Sequence, residues 1–227
     1  LRLFNSVDNR TLNTIGFTPK ATAELPNILA HKAGLILVTG PTGAGKSATL
    51  YTFLRHLAAP KTHTIITLED PIESPVPNIR QSQINPKANY TFATGLRAIL
   101  RQDPDIIMVG EIRDSETAKI ALEAAYTGHL VLSTLHTTDN KTTLLRLQSL
   151  GLDPFLINHS LKAIFSQHLL PTPCTSCRGE GCTACHHTGT KGRHLNAEIC
   201  HIPTPCNDLE TLKNTLPNYQ ISQLEPQ

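Results

Sequence analysis

Eight consecutive residues, Gly40-Pro41-Thr42-Gly43-Ala44-Gly45-Lys46-Ser47, have the make-up of an anion cradle. Glycine reaches backbone conformations closed to other residues, so successive N–H groups can converge on a phosphate chain. The apolar run LILV (35–38) precedes the cradle and a helical pattern follows from Lys46, so the positive end of a helix dipole points at the same place. Lys46 supplies a charge for the β- and γ-phosphates, and the Ser47 hydroxyl is suited to ligate Mg²⁺. The pattern predicts a nucleoside triphosphate site, taken as ATP with Mg²⁺, running from Gly40 through Ala48.

Polar residues also stand where three further apolar runs end. Glu69-Asp70 follows the run 64–68, Gly110-Glu111 follows 105–109, and His136 follows 130–135. Glu111 is the candidate for orienting or deprotonating the attacking water, because phosphoryl transfer asks for positioning and charge placement. The acid often found just before that position is Gly110 here, so Glu69, Asp70 or Glu73 is the candidate source of its charge from the neighbouring strand. His136 is the candidate hydrogen-bond sensor of the γ-phosphate, whereas His129, at the start of the same run, belongs to the far end of the sheet. Arg97, Arg101 and Arg113 are candidate cations for transition-state charge. The competing reading pairs them structurally with Asp103, Asp105 or Asp114.

Four cysteines form two knuckles, Cys174-x2-Cys177 and Cys182-x2-Cys185, joined by Arg-Gly-Glu-Gly. Two thiolates from each knuckle can complete a tetrahedral Zn²⁺ shell, and four cysteine ligands leave no open position, so the predicted zinc is structural. Reduced thiols or loop disulfides are the alternative. Cys200 and Cys206 lie outside the pattern.

The elements that must place these groups follow from periodicity. The four apolar runs are short and nearly continuous, as in strands buried on both faces of a parallel sheet. Helical patterns at Lys46–Leu57, Phe92–Arg101 and Ser115–Thr127 alternate with them, which predicts an open α/β sheet. A further helix is expected over Lys20–His31. Three prolines at 71, 75 and 77 make the intervening loop stiff. Past Thr137 two helices are expected in succession, at about 138–150 and 154–168, so a helical subdomain is predicted to begin there. Residues 203–227 are expected to hold at most one short helix.

Composition narrows the function classes. The chain has 227 residues, enough for one sizeable core plus a small module. Lys+Arg 20 against Asp+Glu 18 gives a net charge of +2, and aromatics make up 4% with no Trp, so neither a phosphate-backbone groove nor a base-stacking platform is indicated. No apolar run approaches the roughly 18 residues of a membrane span, and no secretory signal is visible.

Together, GLILVTGPTGAGKSATLY, TLEDPIE, FATGLRAILRQDPDIIMVGEIRD, TGHLVLSTLHT, RLQSLGLDPF and GCTACHHTGTKGR resemble the type II secretion and type IV pilus assembly ATPases over roughly residues 1–199. The resemblance implies a RecA-like core and a homo-hexamer. It also implies a cytoplasmic protein, peripheral at the inner membrane, whose ATP hydrolysis drives a platform protein there. It identifies Glu111 as catalytic and Glu69 as its assistant toward Mg²⁺ and water. It divides the chain into a remnant of an N-terminal domain and linker (1–33, with LRLF as a last strand), the ATPase core (34–136), and a helical C-terminal subdomain (137–227) with a zinc loop (174–185). The tetracysteine module favours assembly or export over retraction. Gln167-His168-Leu169 stands where Gln-Arg-Leu is usual. Two other readings stay open on the sequence: a truncated nucleotide-binding fragment without turnover, consistent with a chain that begins at Leu1, and a RecA-type nucleic-acid translocase.

Overall fold

The computed structural model describes residues 10–216 and 220–222. The LRLF strand expectation lies outside them. Helix α1 (Pro19–Leu29) is capped by Thr18, whose side chain accepts from the Ala21 amide. Then come β1 (Gly34–Thr39), α2 (Lys46–Ala58), β2 (Ile65–Glu69), β3 (Arg80–Gln83), α3 (Phe92–Ile99), β4 (Ile106–Val109), α4 (Ser115–Tyr126) and β5 (Leu130–Leu135). The chain continues through α5 (Asn140–Ser149), α6 (Pro154–Ser160), β6 (Leu161–Pro173), β7 (Thr190–His201), α7 (Leu209–Thr215) and β8 (Gln220–Ser222).

The eight strands of the described residues form one sheet in the order β3-β2-β4-β5-β1-β6-β7-β8. The pairs from β3 to β6 are parallel, and β6–β7 and β7–β8 are antiparallel. Side chains of β1 alternate between the two faces, as the strand repeat requires. Leu35 and Leu37 join a core with Leu96 of α3, Ala121 of α4 and Leu147 of α5. Ile36 and Val38 join a second core with Leu25 of α1 and Phe53 of α2. Helices therefore cover both faces, and the predicted mostly parallel α/β sheet is what the structure contains. The acids that open helices are readable in the sequence: Asp114, Asp139, Asp153 and Asp208 each cap a helix by accepting a backbone amide.

One expectation is corrected. The stretch 161–168, read as the second half of a helix, is strand β6, lying between β1 and β7. Its residues Leu161 and Ala163–Gln167 are all buried, so the apolar run carries no period that would separate helix from strand. Among the described residues, the region after Thr137 thus contributes three strands to the sheet as well as three α-helices. Strand β3 was also missed: Arg80-Gln81-Ser82-Gln83 is a polar edge strand without a hydrophobic signal.

Candidate functional site

The carboxyl ends of β1, β2, β4 and β5 open into one cleft of about 420 Å³. Its lining includes the loop residues Thr42–Ser47, Ala48, Glu69, Asp70, Glu73, Gly110, Glu111 and His136. This is where an open parallel sheet binds ligands.

The phosphate loop is held by backbone geometry. Gly45, the N-cap of α2, has φ 85° and uses no side-chain cap, so the first amides of α2 stay available to an anion. Gly40 has φ 142°, and a Cβ there would sit 2.2 Å from the Gln167 carbonyl oxygen. Lys46, 9% exposed, donates from Nζ to the carbonyls of Gly40 (2.8 Å) and Pro41 (3.0 Å). Burial lowers the Lys46 pKa, and the nearby Glu111 charge opposes that shift. The ammonium therefore closes its own loop with bonds that a phosphate oxygen can replace.

On β6, Gln167 is fully buried and locks this loop from behind. Its Nε2 donates to the Ala44 carbonyl at 2.7 Å, and its Oε1 accepts from Thr49 Oγ1 at 2.9 Å. Sequence reasoning placed this residue on a helix and gave it no role; the contact joins positions over a hundred residues apart and has no local signature. Gln167→Leu is expected to cost about 1–3 kcal/mol of stability, because it leaves buried polar partners unpaired. It is also expected to weaken ADP binding severalfold. Chemical denaturation and an ADP titration check both effects, and a variant equal to wild type in the two would remove Gln167 from the loop's support.

The acids divide into two settings. Glu69 is 3% exposed and accepts from Tyr51 Oη, Thr67 Oγ1 (2.6 Å) and Gln81 Nε2 (3.0 Å). Glu111 lies one strand away, past Gly110, with Arg113 Nη2 at 2.5 Å from one oxygen and His136 Nε2 at 3.7 Å from the other. The bond to Glu111 raises the Arg113 pKa further, so that guanidinium stays charged. Gly110 is closely packed: a Cβ there would stand 3.2 Å from the Leu68 carbonyl oxygen, which leaves little room for the missing acid.

Glu111, Glu69 and His136 thus line one cleft, and Arg113, outside its lining, reaches it through the pair with Glu111. Arg101 does not line the cleft and makes no ion pair with a described residue, and Arg97 pairs with Glu116 at 2.8 Å on the surface. In this chain alone the structural reading holds for Arg97, although its partner is Glu116 and not one of the three aspartates considered. His129 sits at the opposite end of the sheet, its Nδ1 beside the Ala124 carbonyl (3.1 Å).

The four knuckle cysteines meet beyond the end of β6. Their sulfurs lie within 4.8 Å of one another, with Cys174–Cys182 at 3.9 Å and Cys177–Cys185 and Cys182–Cys185 at 3.8 Å. Four sulfurs about 2.3 Å from a common tetrahedral centre stand about 3.8 Å apart, so the cluster fits zinc.

The family profile described as Type II/IV secretion system protein matches residues 1–223. Type II secretion system protein HxcR of Pseudomonas aeruginosa is 50% identical over 190 residues, which are 80% of this chain and 40% of that protein. Type IV pilus assembly ATPase PilB of Thermus thermophilus is 43% identical over 215 residues, 83% of this chain and 24% of that protein. This chain therefore spans less than half the length of these curated relatives. Among solved structures, the pilus retraction motor PilT with bound ADP superposes with a TM-score of 0.70 at 35% identity, covering 92% of this chain and 57% of that one. The ATPase DotB of Legionella pneumophila gives a TM-score of 0.70 at 26% identity, covering 92% of this chain and 56% of that one. With the profile spanning nearly the whole sequence, the chain belongs to the Type II/IV secretion system protein family.

Proposed function

We propose that this chain is the ATP-hydrolysing part of a motor subunit that powers type II protein secretion or type IV pilus assembly. The observation that carries the proposal is that Glu111 and His136 line the same cleft as Lys46 and the phosphate loop, with Arg113 paired to Glu111 at 2.5 Å from outside that lining. A site that only stored nucleotide would need the loop but not a carboxylate poised beside it.

In this reading the amides at the start of α2 and Lys46 take the phosphates, Lys46 leaving the carbonyls of Gly40 and Pro41. Ser47, with the acids across the cleft, fits Mg²⁺, which neutralises phosphate charge. Glu111 orients a water and accepts its proton as the water oxygen bonds to the γ-phosphorus. The bond from that phosphorus to the β,γ-bridging oxygen breaks, giving ADP and phosphate. Arg113 withdraws from Glu111 toward the developing charge, and His136 hydrogen-bonds the γ-phosphate. Glu69 lends negative charge on the Mg²⁺ side.

The subunit works as a homo-hexamer at the cytoplasmic face of the inner membrane, against a platform protein. Its attachment there is peripheral, through partners. Among the described residues no helix is long and apolar enough to cross a membrane. The zinc module holds the β6–β7 hairpin and takes no part in hydrolysis.

Phosphate release from ATP by the chain, with Mg²⁺ and with excess chelator, tests the reading. Turnover is expected only with Mg²⁺. A chain that binds ADP but releases no phosphate under either condition would refute the hydrolytic role.

A further inference from the structure

We propose that Tyr51 is a positioning residue of this site, tying the Glu69 carboxylate and the loop that carries Glu73 to the helix that begins at the phosphate loop. The inference rests on the hydrolytic reading above for its kinetic consequence, but not for its structural one.

Tyr51 lies one turn beyond Ser47 on α2, so both residues share the helix face that looks into the cleft. The side chain is 5% exposed. Its hydroxyl is a hub between three segments: it donates to Glu69 Oε2 and accepts from the amides of Glu73 (3.1 Å) and Ser74 (3.3 Å). A phenol suits this task because one oxygen both donates and accepts and a rigid ring sets its reach. Burial first, and then the bond to Glu69, hold the phenol protonated far above its ordinary range, so the donor persists at any working pH. The ring is itself restrained, with the Arg55 guanidinium 5.9 Å from its centroid.

The loop is pinned from its other side by Gln81, which donates to Glu69 Oε1 (3.0 Å) and the Ser74 carbonyl (3.0 Å) and accepts from the Val76 amide (2.7 Å). Gln81 fixes the loop to the sheet. Tyr51 fixes it, and Glu69, to the nucleotide-binding helix. A shift of α2 on binding phosphate would therefore move the acid and the loop with it. A carboxylate placed for water or metal loses much of its effect when displaced by about 1 Å, so the hydroxyl should matter to turnover more than to affinity.

Tyr51→Phe removes one oxygen and keeps the ring. Three measurements on wild type and variant decide the proposal: hydrogen exchange at the Glu73 and Ser74 amides, ADP affinity, and steady-state ATP turnover. Exchange at both amides is expected to rise about fivefold or more, because they lose their acceptor. ADP affinity should stay within about twofold while kcat falls about tenfold at a nearly unchanged KM. Combining Tyr51→Phe with Glu69→Gln should lower kcat little beyond Glu69→Gln alone, since both act through one carboxylate. Unchanged exchange at the two amides overturns the proposal, as does a kcat equal to wild type, or losses that multiply in the double variant. If the wild type itself fails to turn over ATP, the hydrolytic reading falls, and amide exchange alone decides whether Tyr51 makes the tie.

Discussion

Glu111→Gln is expected to lower ATP turnover by about two to three orders of magnitude, the range of a lost general base, while ADP affinity stays close to wild type. The amide has the shape of the carboxylate and can still accept from Arg113, which lies 2.5 Å from Glu111 Oε1. It cannot take a proton from water. Lys46→Ala should behave differently. It removes the ammonium that closes the loop onto Gly40 and Pro41 and that would meet the phosphates, so affinity and turnover should fall together. Phosphate release and ADP titration on the three proteins separate the two patterns. Equal turnover in wild type and both variants would show that the cleft is not the hydrolytic site.

How far the site could be read from the sequence depends on whether a residue's role is local. The phosphate loop is local: glycines, lysine and serine act within one strand-to-helix turn, and the structure places Thr42–Ser47 in the cleft lining as expected. The strand-end residues Glu69, Glu111 and His136 were also legible, because the four apolar runs end together once the strands are parallel. The arginines were not. Arg97 and Arg113 are equally basic in the sequence, and only the fold separates Arg113 beside Glu111 from Arg97 beside Glu116. Gln167 could not have been found, since its partners Ala44 and Thr49 lie on another element far along the chain. Tyr51 carried a readable signal, one helical turn from Ser47, but its partners Glu73 and Ser74 sit in a proline-bearing loop whose path the sequence did not specify. The core strands were clear because short apolar runs alternated with helical patterns. Strand β6 was lost for the opposite reason: burial on both faces erased the period that would have identified it.

Purified under reducing conditions without chelator, the chain is expected to carry one zinc, and losing it should unfold the tip of the β6–β7 hairpin. The sulfur separations of 3.8–3.9 Å argue for metal over disulfides, because a bonded pair would stand about 2.05 Å apart. No one cysteine pair is favoured over the rest. The surroundings favour thiolate at Cys185 and Cys174 and oppose it at Cys182, whose thiol burial pushes up to about 11. Cys185 Sγ accepts the Cys182 amide at 3.2 Å, and that bond helps pull the Cys185 thiol down to about 6. Cys177 Sγ accepts the Gly181 amide at 3.2 Å. What else holds the tip is short-range: turn hydrogen bonds such as His187 N–H to the Cys182 carbonyl (2.8 Å) and Cys174 N–H to the Gly189 carbonyl (2.8 Å), with Gly179, Gly181 and Gly189 at positive φ and the prolines at 171 and 173 removing amide donors from the adjoining ladder. A structural zinc contributes on the order of 10 kcal/mol to folding its own loop, far more than such a hairpin end can supply. Cys182→Ser, or chelation of wild type, should therefore open residues 175–189 to protease. The core of the sheet should survive, because β6 remains paired with β1 from Leu161 to Ser166. Less than about half a zinc per chain in elemental analysis, or a tip equally protease-resistant with and without chelator, would show that the loop holds itself together without metal.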